Sequence, residues 1–184
     1  MRLARWFARS RPEERSAAAL YETLVEHARS PAFYRAQGVP DTLDGRFELI
    51  ALHAFLVLHR LADAPEATRD LGQALFDRLF ADMDRNLREM GAGDLGVGKR
   101  VRAMAEAFLG RIAAYRSGLV DGEAALRAAL RRNLYGTVPL EPTSLVAMAA
   151  YVRATLDTLQ AQDMEAIRAG VIRFPPAPGG GTDD

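Results

Sequence analysis

Thr42-Leu-Asp-Gly-Arg-Phe-Glu-Leu-Ile-Ala-Leu-His-Ala-Phe-Leu-Val-Leu-His-Arg-Leu61 decides the fold. Phe47, Ile50, Ala54, Phe55 and Leu58 recur at the three- and four-residue spacing of one helix face. Leu49, Leu52, Leu56 and Val57 cover the flanks. A helix apolar nearly all round is one that its neighbours enclose. The most apolar window, Leu49–Leu58, covers only about half a bilayer core as helix and carries His53, so it reads as a buried central helix and not a membrane span. Asp41 or Thr42 supplies its cap.

Helices continue on both sides. Upstream, Ser10-Arg-Pro-Glu13 forms a capping box for a helix burying Ala17, Leu20, Tyr21, Leu24 and Ala28. Ser30-Pro31 starts a short turn carrying Phe33 and Tyr34, and Gly38-Val-Pro40 breaks the chain. Downstream, Asp63-Ala-Pro-Glu66 caps a helix whose row Leu71, Leu75, Leu79, Met83 and Leu87 is widened by Phe76, Phe80 and Met90. Val101, Met104, Ala105, Phe108, Ile112 and Tyr115 mark the next helix. Asp121 caps a short one that closes near Gly136; Thr143 caps the last long one, and a turn follows at Met164–Ala169. The expectation is a single compact all-α domain of about seven helices, with no sheet. Residues 1–10 form a basic amphipathic segment, 11–174 the helical domain, and 175–184 a Pro/Gly tail disordered by composition.

A chain of 184 residues buries enough surface for a core without metal or disulfides. Without Cys, disulfides, Cys-ligated zinc and thiol catalysis are excluded. Basic and acidic residues balance at 24 each, which argues against a nucleic-acid partner. The charge is nevertheless uneven. Arg2, Arg5, Arg9, Arg11 and Arg15 crowd the first fifteen residues, and Lys99 and Arg100 open a basic stretch reaching Arg132. Arg2, Arg5 and Arg9 flank Leu3, Trp6 and Phe7, a composition suited to anionic headgroups, so Arg2, Arg5, Trp6, Phe7 and Arg9 are the candidate membrane contacts. Arg also interrupts each short apolar run there, so no secretory signal is read.

The stretch Asp82 to Val101 is the other informative one: Asp-Met-Asp-Arg-Asn-Leu-Arg-Glu-Met-Gly-Ala-Gly-Asp-Leu-Gly-Val-Gly-Lys-Arg-Val. Gly91, a natural helix terminator, opens a glycine-rich loop between an acidic helix end and a basic helix start. Gly93 to Lys99 fits the first seven places of a phosphate loop, but Arg100 stands where magnesium needs Ser or Thr. Asp82, Asp84 and Asn86 open like a calcium loop, but Leu87 and Gly93 fill places that need Gly and Glu. Asp84 and Arg88 have the spacing of a helical ion pair. His27, His53 and His59 do not form a metal set; His53 reads as a hydrogen-bonded core residue. No nucleophilic triad can be assembled, and no metal or cofactor is implied.

Three segments carry a resemblance. Gly38 to His53, Leu75 to Asp84 and Leu87 to Val101 are similar to the ubiquinol–cytochrome c chaperone family, bacterial relatives of the mitochondrial assembly factor for cytochrome b of the bc1 complex. The resemblance runs from about Phe33 to Tyr151. It implies an all-helical protein that is not an enzyme and binds newly made cytochrome b near the membrane. A second small assembly factor is a further candidate partner. The Ala/Arg-rich composition and missing transit peptide suit a bacterial, alphaproteobacterial chain, placed in the cytoplasm and peripherally on the inner membrane. The candidate partner-binding residues are Asp82, Asp84, Arg88, Glu89, Gly91, Gly93, Asp94, Gly96, Gly98, Lys99 and Arg100. Asp41, Asp44, Gly45 and Arg46 also match the family words. Met83, Met90 and Met104, with Phe76, Phe80 and Phe108 nearby, supply material for an adaptable apolar surface. The alternative is a helical binder of lipid, quinone or haem, suggested by the surplus apolar residues of the 42–61 helix.

Overall fold

The computed structural model describes the backbone of residues 12–89 and 94–180 and, residues 94 and 95 apart, their side chains. Its α-helices are α1 (Pro12–Ala28), α2 (Pro31–Arg35), α3 (Leu43–Leu61), α4 (Pro65–Glu89), α5 (Asp94–Asp121), α6 (Glu123–Leu130), α7 (Pro142–Gln160) and α8 (Met164–Arg168). There is no strand among the described residues. α2 and α8 are five residues each, and α6 runs into a π turn, Arg131–Tyr135, that ends at Gly136 with φ 56°.

α3 is the axis of the molecule. Every residue from Leu49 to Val57 is buried, as the circumference of apolar side chains requires. α1, α4, α5, α7 and the π turn all pack on it. One apolar cluster runs from Ala17 to Ala177, so the described residues form a single core. Thr42 is the cap of α3, accepting the Gly45 N–H at 3.1 Å, while Asp41 pairs with Arg46 at 2.7 Å. Gly45 is fixed by space: a Cβ there would lie 2.0 Å from the Pro40 carbonyl oxygen.

Two of the caps read from the sequence are not caps in the structure. Asp121 is the last residue of α5, not a cap; Gly122, at φ 104°, makes the break that a side chain would resist. Thr143 lies inside the first turn of α7, because Pro142 takes the first helical position and Glu141 becomes the N-cap residue. The chain's last stretch also departs from expectation. Residues 170–180 return across α1 and α2 as an extended strap. Gln162 donates to the Arg173 carbonyl at 2.9 Å and accepts the Arg173 N–H at 2.8 Å; Gln37 donates to the Pro178 carbonyl at 3.0 Å. Ile172 and Ala177 are buried. Composition marks 175–180 as disordered, but one small apolar side chain with a matching site is enough to seat them. Ser10, the segment 1–10 and residues 181–184 lie outside the described residues.

Candidate functional site: the α4–α5 hairpin and the groove beside it

α4 and α5 form an antiparallel pair whose seam holds Phe76, Phe80 and Phe108, with ring centroids 4.7 to 6.0 Å apart. Leu71, Leu75, Leu79 and Met83 face inward, as their spacing requires. The acidic end of α4 is internally satisfied. Asp82 accepts from the Tyr21 hydroxyl at 2.9 Å, from Arg85 at 2.5 Å and from Asn86 at 3.3 Å. Burial pushes the Asp82 carboxyl up, but the bonds from Arg85 and Tyr21 outweigh it and hold its pKa low. Arg88 donates to Asp84 at 2.6 Å, the ion pair expected from their spacing, and this lowers the Asp84 pKa. Glu89 is exposed at the last position of α4.

Beyond Glu89 the expected glycine loop is partly helix. Gly91 and Gly93 lie outside the described residues, as does the side chain of Asp94. α5, however, begins at Asp94 and carries Gly96 and Gly98 in its first turns. Neither has a positive φ, and a Cβ on either would meet nothing within 4 Å. Val97 between them is fully buried, although each helical glycine costs roughly 1 kcal/mol against Ala. Lys99 and Arg100 are therefore exposed residues of α5's second turn, not the flank of a loop, and have no ion-pair partner among the described residues.

A groove lies on the α3 side of this hairpin, lined in part by Met83 and Met104, two of the methionines that the sequence offers for an adaptable apolar surface. It has a volume of about 830 Å³ and is walled by the start of α3, the end of α4 and the middle of α5. Phe47, Met83, Leu87 and Met104 are among its apolar residues, and Leu43 lies on it 67% exposed. Glu48 and Arg111 form a fork-to-fork ion pair within it: Arg111 Nε donates to Glu48 at 2.5 Å, and a second guanidinium nitrogen donates to the other carboxylate oxygen. The Arg111 guanidinium lies 5.7 Å from the Phe47 ring centroid. Burial raises the Glu48 pKa despite Arg111, and the bond to Glu48 raises that of Arg111. A carboxylate inside the apolar run of α3 was the available clue; its partner lies 63 positions away.

The histidines form a different structure from a metal set. Among the described residues no three His, Cys, Asp or Glu side chains are grouped to hold a metal. His53 Nδ1 lies 2.7 Å from the Leu49 carbonyl, which only accepts, so this nitrogen carries the proton. The neutral ring then accepts at Nε2 from the Tyr151 hydroxyl, 2.7 Å away. Tyr151 in turn accepts from His27 Nε2 at 2.8 Å. Burial lowers the His53 pKa to about 3, which keeps the ring neutral. Phe174, from the strap, stacks on His27 at 4.8 Å.

The model of the family described as Ubiquinol-cytochrome C chaperone matches residues 35–174. The chain belongs to this family. The matched span holds the groove walls, the hairpin and the strap's first half, but not α1. The chain is 28% identical over 148 residues to ubiquinol-cytochrome-c reductase complex assembly factor 1 of Xenopus laevis, covering 79% of this chain and 74% of that protein. It is 24% identical over 148 residues to the Homo sapiens factor of the same name and spans 50% of its length. The solved crystal structure of the Cbp3 homolog from Brucella abortus superposes with a TM-score of 0.81 at 38% identity, covering 96% of this chain and 98% of that one. The Xenopus and human relatives are named as assembly factors and the family as a chaperone family, the non-enzymatic class that the sequence resemblance implies.

Proposed function

We propose that this protein is an assembly factor of the ubiquinol–cytochrome c reductase complex that binds newly made cytochrome b at the cytoplasmic face of the inner membrane. The family match over residues 35–174 carries the reading. Among the described residues no helix is long and apolar enough to cross a membrane. Membrane contact is assigned to Arg2, Arg5, Trp6, Phe7 and Arg9, whose cationic and aromatic side chains suit anionic headgroups.

The hairpin tip presents the partner-facing charges. On α4, Asp82 is held by Tyr21, Arg85 and Asn86, and Asp84 by Arg88; Glu89, Lys99 and Arg100 are exposed, and Gly91, Gly93, Asp94, Gly96 and Gly98 complete the proposed surface. Exposed charges of both signs orient a partner more than they add affinity. Affinity capture from membranes of the native host tests the reading, with cytochrome b as the expected product. The double variant Lys99→Glu, Arg100→Glu should keep helicity and melting temperature, because exposed charges usually shift stability by less than about 0.5 kcal/mol. The same variant should lose cytochrome b. A clean deletion strain with normal complex levels would refute the function; capture at wild-type level by the double variant would move the surface elsewhere.

A further inference from the structure

Resting on the client-binding reading above, we propose that the α3–α4–α5 groove seats one short amphipathic helical segment of the client, apolar on the face toward Phe47, Met83 and Met104 and basic at its flanks. The groove's volume of about 830 Å³ falls in the range that accepts a few side chains in one concavity. Helix-in-groove recognition uses such anchors at successive turns, and two methionines let one surface repack against different sequences. Leu43, 67% exposed, gives the rim an apolar side chain that the monomer leaves in water.

The charges choose the occupant. Six charged residues line the groove. Glu48 and Arg111 neutralise each other, and Arg46 is held by Asp41. Of the rest, Asp44 on α3 and Glu89 on α4 have no hydrogen-bonded or ion-paired partner among the described residues, although Glu89 feels the Arg85 charge one turn back. Arg29, the remaining cation, lies at the α1 side near Tyr21 and Tyr34 and has no ion pair among the described residues, so the unpaired charges are two carboxylates against one guanidinium, net negative. An apolar trough with unpaired carboxylates on two walls matches an apolar segment ending in Lys or Arg. Membrane helices have that character at their cytoplasmic ends. An anionic lipid would meet Asp44 and Glu89 with repulsion, and a neutral quinone would leave both unused.

The test places a photo-crosslinking amino acid at Leu43 or Leu87 in the groove, and at Leu109 or Val120, exposed on α5 outside it. In native-host membranes the groove probes should each link to one basic-flanked apolar segment of cytochrome b, and the control probes should not. The double variant Asp44→Lys, Glu89→Lys should lower recovery of cytochrome b by about tenfold at low salt with an unchanged melting temperature. Equal linking from all four positions, or groove links to phospholipid or quinone, would overturn the assignment. If the unmodified protein captures cytochrome b while the groove probes stay silent, the inference falls and the function stands. If it captures none, both fall.

Discussion

Acidification from about pH 7.5 to about pH 5 should cost the protein about 2 kcal/mol through His53 alone. The unfolded imidazole titrates at 6.5 and the folded one at about 3, because burial opposes its charge. Between those values the unfolded chain binds a proton that the folded chain refuses. Stability is therefore fully present above 6.5 and falls as the pH drops toward 3. Integrated to about pH 5, the difference is about 2 kcal/mol, or roughly 4–8 °C of melting temperature for a domain this size. His27 and His59, also lowered by burial, act in the same direction. Glu48, raised by burial, opposes them, since its folded form takes up a proton first. Asp41, Asp82, Asp84 and Glu123 are lowered, so their contributions are lost only as the pH falls below ordinary carboxylate values. The assay is urea unfolding across this pH range for the wild type and His53→Gln. The amide loses absolute stability, but only the slope is read, and it should be shallower by the His53 share. Parallel slopes, or a wild type that gains stability on acidification, would refute the reasoning.

Tyr115 is fully buried and its hydroxyl has no hydrogen-bond partner among the described residues. Tyr115→Phe should therefore stabilise by about 1–2 kcal/mol in urea unfolding; a loss would reveal a partner for the hydroxyl. Gly45→Ala should destabilise by more than about 3 kcal/mol or prevent soluble expression, given the 2.0 Å approach to the Pro40 oxygen. Gly96→Ala, in open helix, should gain up to about 1 kcal/mol, and a decrease would show that position 96 is not helical. Removing residues 1–10 should reduce flotation with anionic liposomes without changing the melting temperature; equal flotation of both forms would end the membrane role of Arg2, Arg5, Trp6, Phe7 and Arg9.

What the sequence made legible was local. α3 announced itself because its apolar side chains wrap the whole circumference, and the row Leu71 to Met83 marked α4 by spacing alone. The start of α5 was hidden because Gly96 and Gly98 read as loop, and the one apolar residue between them, Val97, sets no helical period. The groove's methionines were legible, but its ion pair was hidden for a related reason. Glu48 and Arg111 each look like one helix's solvent side until α3 and α5 are packed. Tyr151, 124 positions from His27 and 98 from His53, gave no sign that one hydroxyl serves both rings. At 175–180, prolines and glycines signalled disorder, and tertiary contacts override it: the buried Ala177 and the bond from Gln37 to the Pro178 carbonyl.

Synthesis and closure run in opposite orders in this molecule. α1 and α2 are the first described elements to leave the ribosome, yet the strap that crosses them comes last, joining Gln37 to Pro178 over 141 positions. His27 waits for Phe174 to stack on it, and the core buries nothing described beyond Ala177. Until that strap emerges, the nascent chain carries an unsealed seam over its earliest-made helices. Closure of so long a loop is slow compared with helix formation, so this interval is when aggregation threatens most. A stall or truncation between Gln160 and Ala177 should therefore yield a helical but sticky chain, distinguishable from the finished protein by its protease sensitivity near α2.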